Sequence, residues 1–176
     1  GKRIACIGAG CASLTVANDL LPLGYEVVVY EQLDRTGGLM RTNIPAFRLP
    51  QTVLDNELNM IIDMGVDLRL DQRVDSLATL LEESYDAVFI GTGAPRGKNL
   101  EISGRYDSDR VHIGIDWLES VAFEHTKTIG EQVLIIGVGN TAMDCCRTSL
   151  RLGGKQVKVM ARKPRGYFKA SEWELD

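Results

Sequence analysis

The sequence has no Cys-x-x-Cys pair, only 2 histidines, and aromatic residues at just 6% of its length. Its four cysteines, Cys6, Cys11, Cys145 and Cys146, lack both metal-ligand spacing and the density of a disulfide framework. Neither His112 nor His125 has a cysteine or second histidine at ligand spacing, so both are expected on the surface or in loops rather than on a metal. No apolar run approaches the roughly 20 residues that a membrane-spanning helix requires, and Gly1 to Ile7 reads as a strand, not as a signal-peptide core. Positive charge is also not in excess: 20 Lys and Arg stand against 24 Asp and Glu, a net −4, with a pI near 5.3. Such a surface attracts neither nucleic acid nor an anionic membrane. The expectation left standing is a cytoplasmic protein that handles small molecules.

What is present is a repeated strand, glycine turn and helix. Arg3 to Ile7 is an apolar run that stops at Gly8; Ala12 to Leu21 then carries apolar residues on one helical face before Pro22, Leu23 and Gly24 end it. Glu26 to Tyr30 is valine-rich, as a parallel strand buried on both faces should be. Leu54, Leu58, Ile61 and Ile62 share one face of a further helix that Gly65 can cap, followed by a strand over Val66 to Leu70. A short helix over Leu77 to Glu83, the strand Ala87 to Ile90, a polar stretch over Gly97 to Arg110 and a helix over Ile115 to Glu124 complete the first part. The pattern then restarts about 130 residues downstream, with the strand Val133 to Ile136, the helix Thr141 to Leu152 capped by Gly153 or Gly154, and the strand Val157 to Met160. Two nucleotide sites are implied. At 176 residues and 44% hydrophobic content the chain suffices for one domain plus part of another. A doubly wound sheet needs more strands than the second unit supplies, so the chain is expected to be a fragment of a longer protein.

Each glycine loop has a chemical reading. In Gly8-Ala9-Gly10-Cys11-Ala12-Ser13, Gly8 allows the tight turn, Gly10 lets the backbone approach a pyrophosphate, and the following helix turns its positive end to that charge. Glu31 ends the next strand, 23 residues after Gly8, where a carboxylate accepts hydrogen bonds from ribose hydroxyls. Ser13 replaces the third glycine with another small residue. In Gly137-Val138-Gly139-Asn140-Thr141-Ala142 the arrangement recurs, but the strand that follows leads to Arg162 and Lys163, with Arg165 and Lys169 nearby. Cations there suit a 2′-phosphate, which favours NADP over NAD; a solvated basic loop is the plainer alternative.

Beyond the glycine loops, Gly37-Gly38-Leu39, the run Ile44-Pro45-Ala46-Phe47-Arg48-Leu49-Pro50, Asp86 to Ala94 and Gly139-Asn140-Thr141-Ala142-Met143-Asp144-Cys145 give the chain a specific likeness. Over essentially its whole length it resembles the glutamate synthase small-subunit family, with the flavin and NADPH domains of dihydropyrimidine dehydrogenase and the large subunit of NADH-dependent ferredoxin:NADP oxidoreductase. The resemblance implies an α/β fold of glutathione-reductase-like flavoprotein architecture, made of two Rossmann-like units: the first part of an FAD-binding domain over residues 1–127, then over 128–176 the start of an inserted NADPH-binding domain. It implies FAD at Gly8, Ala9, Gly10, Cys11 and Ala12 (pyrophosphate) and Glu31 (ribose). Gly38, Leu39, Arg48 and Val74 would lie further along the cofactor, and Thr92, Gly93 and Ala94 in a later turn that approaches it. For NADPH, with NADH the weaker choice, it implies Val138, Gly139, Asn140 and Thr141 at the pyrophosphate and Arg162, Lys163 and Lys169 at the 2′-phosphate. Iron–sulfur clusters would lie outside this chain, on a partner domain or subunit beside a larger catalytic subunit. Where the family commonly has proline this chain has Cys11, which leaves the loop backbone less fixed.

The activity so implied is hydride transfer from NADPH to FAD and onward electron transfer, for which no side chain need act as acid or base. No catalytic residue is therefore nominated. Arg48 is read as a flavin contact over a structural ion pair, and Cys11, Cys145 and Cys146 as without redox chemistry, the last two in the core. The rival reading is an FAD-binding module that organises partner subunits without catalysis; a single-nucleotide flavoprotein oxidase is disfavoured by the second loop.

Overall fold

A computed structural model describes residues 1–175 and divides the chain into two compact units: residues 1–42 with 46–95, and residues 43–45 with the chain from Arg96 onward. In the first unit four strands form a parallel sheet in the order β3-β2-β1-β4, with β1 at Arg3–Ile7, β2 at Glu26–Tyr30, β3 at Asp67–Arg69 and β4 at Ala87–Ile90. Arg3 pairs with Glu26 and Ile7 with Tyr30, and on the other side Ile4 pairs with Ala87 and Ile7 with Ile90. Both faces are covered. Ile4, Cys6, Val27 and Val29 turn toward helix α1 (Cys11–Leu20) with Ala17, while Ala5, Val28 and Tyr30 meet Leu80 and Tyr85 on the opposite face, which includes α4 (Leu77–Leu81). Alternate residues thus enter opposite halves of the core, which is why these strands read as unbroken apolar runs.

Helix α3 (Gln51–Ile62) packs Leu54 and Leu58 against Leu14 of α1, with Ile61 and Ile62 partly buried beside them, the stripe its spacing predicts. Gly65 takes φ 112° just past its end, a conformation open to glycine. The strand expected over Val66 to Leu70 is shorter at each end. The Val66 amide donates to the Ile62 carbonyl at 3.1 Å and so belongs to the helix terminus, and Leu70 enters a turn completed by Asp71 at φ 53°. Two further expected helices lose their last residues: α4 ends at Leu81 and α5 (Gly114–Ala122) stops short of Glu124. Ser84 and Glu124 stand at φ 60° and 59°, which no helix continues through. The short helix α2 (Leu39–Thr42) has no periodic signature, being little more than one turn.

The second unit pairs β5 (Gln132–Ile136) in parallel with β6 (Gln156–Met160), joined by α6 (Asn140–Arg151). Trp117 and Leu118 of α5 form a core with Cys145 of α6, adjoined by Val121, Ile129, Ile135 and Leu152. By packing, therefore, the chain parts at Pro95, and the glycine repeat behind the expected 127/128 boundary lies inside the second unit. A 3₁₀ turn at Arg165–Tyr167 and helix α7 (Glu172–Leu175) follow. Arg147 of α6 pairs with Glu174, whose side chain is wholly buried, and so fastens α7 to α6. Among the described residues no helix is long and apolar enough to cross a membrane.

Candidate functional site

The first glycine loop connects β1 to α1. Gly8 stands at φ 91°, and its amide donates to the Tyr30 carbonyl at 2.7 Å. A Cβ there would sit 2.8 Å from the Gly91 carbonyl oxygen, so the turn requires glycine on two counts. Gly10 is the N-cap of α1 and offers no side-chain cap, and the first turn holds no acidic residue. The leading amides of the helix are thus left for a ligand, and an anion is the ligand that the helix dipole favours.

Two further segments close on this loop. The Gly37 amide donates to the Ala9 carbonyl at 2.9 Å, and a Cβ on Gly38 would come within 2.9 Å of the Gly10 Cα. From β4, the Gly91 amide donates to the Ile7 carbonyl at 2.9 Å, which brings Thr92 alongside Gly8 and starts the exposed turn Thr92-Gly93-Ala94. Ser13 is fully buried, its Oγ has no hydrogen-bond partner, and a Cβ on Gly91 would collide with it. A small residue at the third loop position does let helix and strand pack, with the matching demand placed on Gly91.

Glu31 has backbone partners that the spacing does not predict. Its carboxylate is 7% exposed and accepts from the Ala9 amide at 2.8 Å through one oxygen and from the Leu33 amide at 2.9 Å through the other. It therefore braces the glycine loop, with further lone pairs left on each oxygen. Sequence reasoning missed a second brace, Arg41. Its guanidinium donates to the Thr36 carbonyl at 2.5 Å, to Gln51 Oε1 at 2.8 Å and to Asp55 Oδ1 at 2.5 Å, which ties the segment entering Gly37-Gly38 to α3. The available signal was the four-residue spacing of Gln51 and Asp55 on one helix face.

The remaining expected residues are more scattered. Leu39 begins α2 and is 43% exposed. Arg48 is half-buried. Val74 is half-buried and packs on the cluster of Ala5, Val28 and Tyr30. Cys11 is exposed on the first helical turn. Cys145 is buried as expected and Cys146 half-buried; burial pushes the Cys145 thiol up to about 12 and the Cys6 thiol to about 11. His112 and His125 are both exposed.

The second loop repeats the first with less around it. Gly137 stands at φ 134°, its amide bonded to the Met160 carbonyl at 3.0 Å; Gly139 caps α6 with no side-chain cap, and the first turn again has no acid. A Cβ on Gly139 would meet nothing within 4 Å. Val138 and Asn140 are both engaged by residues returning from the loop after β6. The Lys169 and Ala170 amides donate to the Val138 carbonyl at 3.0 Å each, and the Ser171 amide donates to Asn140 Oδ1 at 3.0 Å. Asn140 and Thr141 are exposed, as are Arg162, Lys163 and Lys169, and the Lys163 ammonium lies 5.1 Å from the centroid of the Tyr167 ring.

The family described as "Pyridine nucleotide-disulphide oxidoreductase" matches residues 2–174. A subunit of NAD-dependent dihydropyrimidine dehydrogenase from Salmonella typhimurium is 37% identical over 98% of this chain and 42% of its own length. The glutamate synthase [NADPH] small chain of Bacillus subtilis is 34% identical over 94% of this chain and 36% of its own. Both relatives fall within the resemblance that the motifs imply, and the chain spans less than half the length of each. In fold, the Mycobacterium tuberculosis protein FprA, solved in complex with NADPH, superposes with a TM-score of 0.84 at 22% identity, over 99% of this chain and 46% of that one.

Proposed function

Since the chain belongs to the pyridine nucleotide-disulphide oxidoreductase family, we propose that it is the nucleotide-binding part of a flavoprotein oxidoreductase, with FAD at the first glycine loop and NADPH at the second. The observation that carries this reading is the pair of uncapped, acid-free helix ends, each behind a glycine whose missing Cβ leaves room for a phosphate. Bound there, the nicotinamide would supply a hydride to the flavin, which hands electrons on one at a time. The chain's own contribution is positioning. Gly8 to Ala12 and the Gly38 and Thr92 segments would enclose the flavin's pyrophosphate, and Glu31 would meet the ribose with its spare lone pairs. Leu39, Arg48, Val74 and Gly93-Ala94 would lie further along the same cofactor. On this reading residues 1–127 serve FAD and the chain from 128 begins the NADPH domain.

The relatives carry both NAD and NADPH in their names, so the choice of nucleotide rests on this chain's own cations, Arg162, Lys163 and Lys169, against a 2′-phosphate. An iron–sulfur domain or subunit and a larger catalytic subunit are the proposed electron partners, in keeping with the small share of each relative that the chain spans.

The test is an anaerobic absorbance titration of the intact protein, wild type and Gly139→Val. Wild-type flavin should bleach with stoichiometric NADPH and far less readily with NADH. Gly139→Val has open space at its Cβ and φ −101°, so it should fold and keep its flavin yet need at least tenfold more NADPH. A flavin indifferent to both nucleotides would sink the enzyme reading and leave a module that organises partner subunits.

A further inference from the structure

The loop between β6 and α7 carries Arg162, Lys163, Arg165 and Lys169, and both of its ends are fastened to one short stretch of the second glycine loop. At the start, the Met160 carbonyl accepts the Gly137 amide; at the return, the Val138 carbonyl accepts the Lys169 and Ala170 amides. The last tie is made by a side chain, since Asn140 Oδ1 accepts the Ser171 amide at 3.0 Å. A closed loop of this kind keeps its tip near its base. The backbone of Lys169, which carries one of its cations, is thereby fixed at the residue next to Gly139. Asn140 is the first residue of α6, and its own amide stays available to a phosphate while its side chain is committed to the loop.

We infer that Asn140 is a positioning residue for nucleotide selection: its side-chain carbonyl holds the returning end of the basic loop on the glycine loop, so that pyrophosphate binding and recognition of the 2′-phosphate are set by one rigid piece. This inference rests on the proposed assignment of NADPH to the second loop. A residue that merely lined the pyrophosphate would serve NADPH and NADH equally, because the two share that group. One that anchors the cations serves only the nucleotide with the extra phosphate. Selectivity, not overall activity, is therefore the quantity that Asn140 controls.

The test uses the intact protein with Asn140→Ala and, from the other side of the same bond, Ser171→Pro, which removes the donating amide while leaving every residue of the glycine loop unsubstituted. For each, kcat/KM is measured with NADPH and NADH, along with inhibition by 2′,5′-ADP and by 5′-AMP. Both variants should lose about tenfold more with NADPH and with 2′,5′-ADP than with NADH and 5′-AMP, the scale of one anchoring hydrogen bond. The double variant should lose no more than either single one, as two cuts of one bond do. Hydrogen exchange of the Ser171 amide should quicken in Asn140→Ala, a readout that needs no bound nucleotide. Equal losses with NADPH and NADH, or no change in either, would overturn the inference. If wild type does not prefer NADPH at all, the assignment of the second loop fails instead, and that is visible before any variant is made.

Discussion

Gly8 shows what a single missing side chain supports. An alanine there would have to adopt φ 91° and drive its methyl to 2.8 Å from the Gly91 carbonyl oxygen. Left-handed backbone alone costs about 1–2 kcal/mol outside glycine, so Gly8→Ala should lower the thermal midpoint by several degrees, as scanning calorimetry would register. The need for glycine at this position is legible in the sequence, because strand, turn and helix follow one another in fixed order. So is the carboxylate at Glu31. What could not be read there is that Glu31 supports the Ala9 and Leu33 amides as well, since nothing in a spacing of residues says how many of a carboxylate's lone pairs the protein keeps for itself.

Between elements, the brace from Arg41 is the connection with most at stake. It gathers a carbonyl, an amide oxygen and a carboxylate from α3 and the loop before Gly37 onto one guanidinium whose side chain is only 14% exposed. Arg41→Met should destabilise the protein by about 1–3 kcal/mol in urea, because acceptors around it lose their donors. Asp55→Ala should add little on top of that in a double-mutant cycle, as expected of groups in one network. Helix and strand positions were mostly legible from periodicity: β2 and β4 match residue for residue, and α3 shows its Leu54 and Leu58 stripe. The errors fall at ends and in single turns. Val66 was lost to a helix terminus, and α2, α7 and the 3₁₀ turn at Arg165–Tyr167 are too short to show a period. Long-range ties such as Asn140 to Ser171 leave no periodic trace at all.

Across the molecule, burial of ionisable groups sets a response to alkali. Cys6 and Cys145 are raised from the ordinary 9.0 to about 11 and about 12, and burial also raises Tyr30 well above its ordinary 10.0. Unfolded thiols lose their protons first, so between pH 9 and about 11 the native state binds more protons than the unfolded one. The associated stability is intact below pH 9 and falls as pH climbs, by at most about 1.4 kcal/mol per unit for each thiol. Urea midpoints should therefore drop between pH 8 and 10.5, and Cys145→Ala should make that slope shallower even though it lowers stability at both ends.

The two glycine loops are alike in sequence and unlike in enclosure. Around the first, Gly38 presses on Gly10, Gly91 on Gly8, and the Gly37 amide is bonded to Ala9; around Gly139 nothing stands within 4 Å of where a side chain would begin. Two neighbouring segments thus hold the backbone of the first loop in place, whereas the start of α6 stands clear at Gly139. If, as proposed, FAD sits at the first loop and NADPH at the second, the difference becomes one of residence time: the first guest would stay for the life of the protein, and the second would arrive and depart with every turnover.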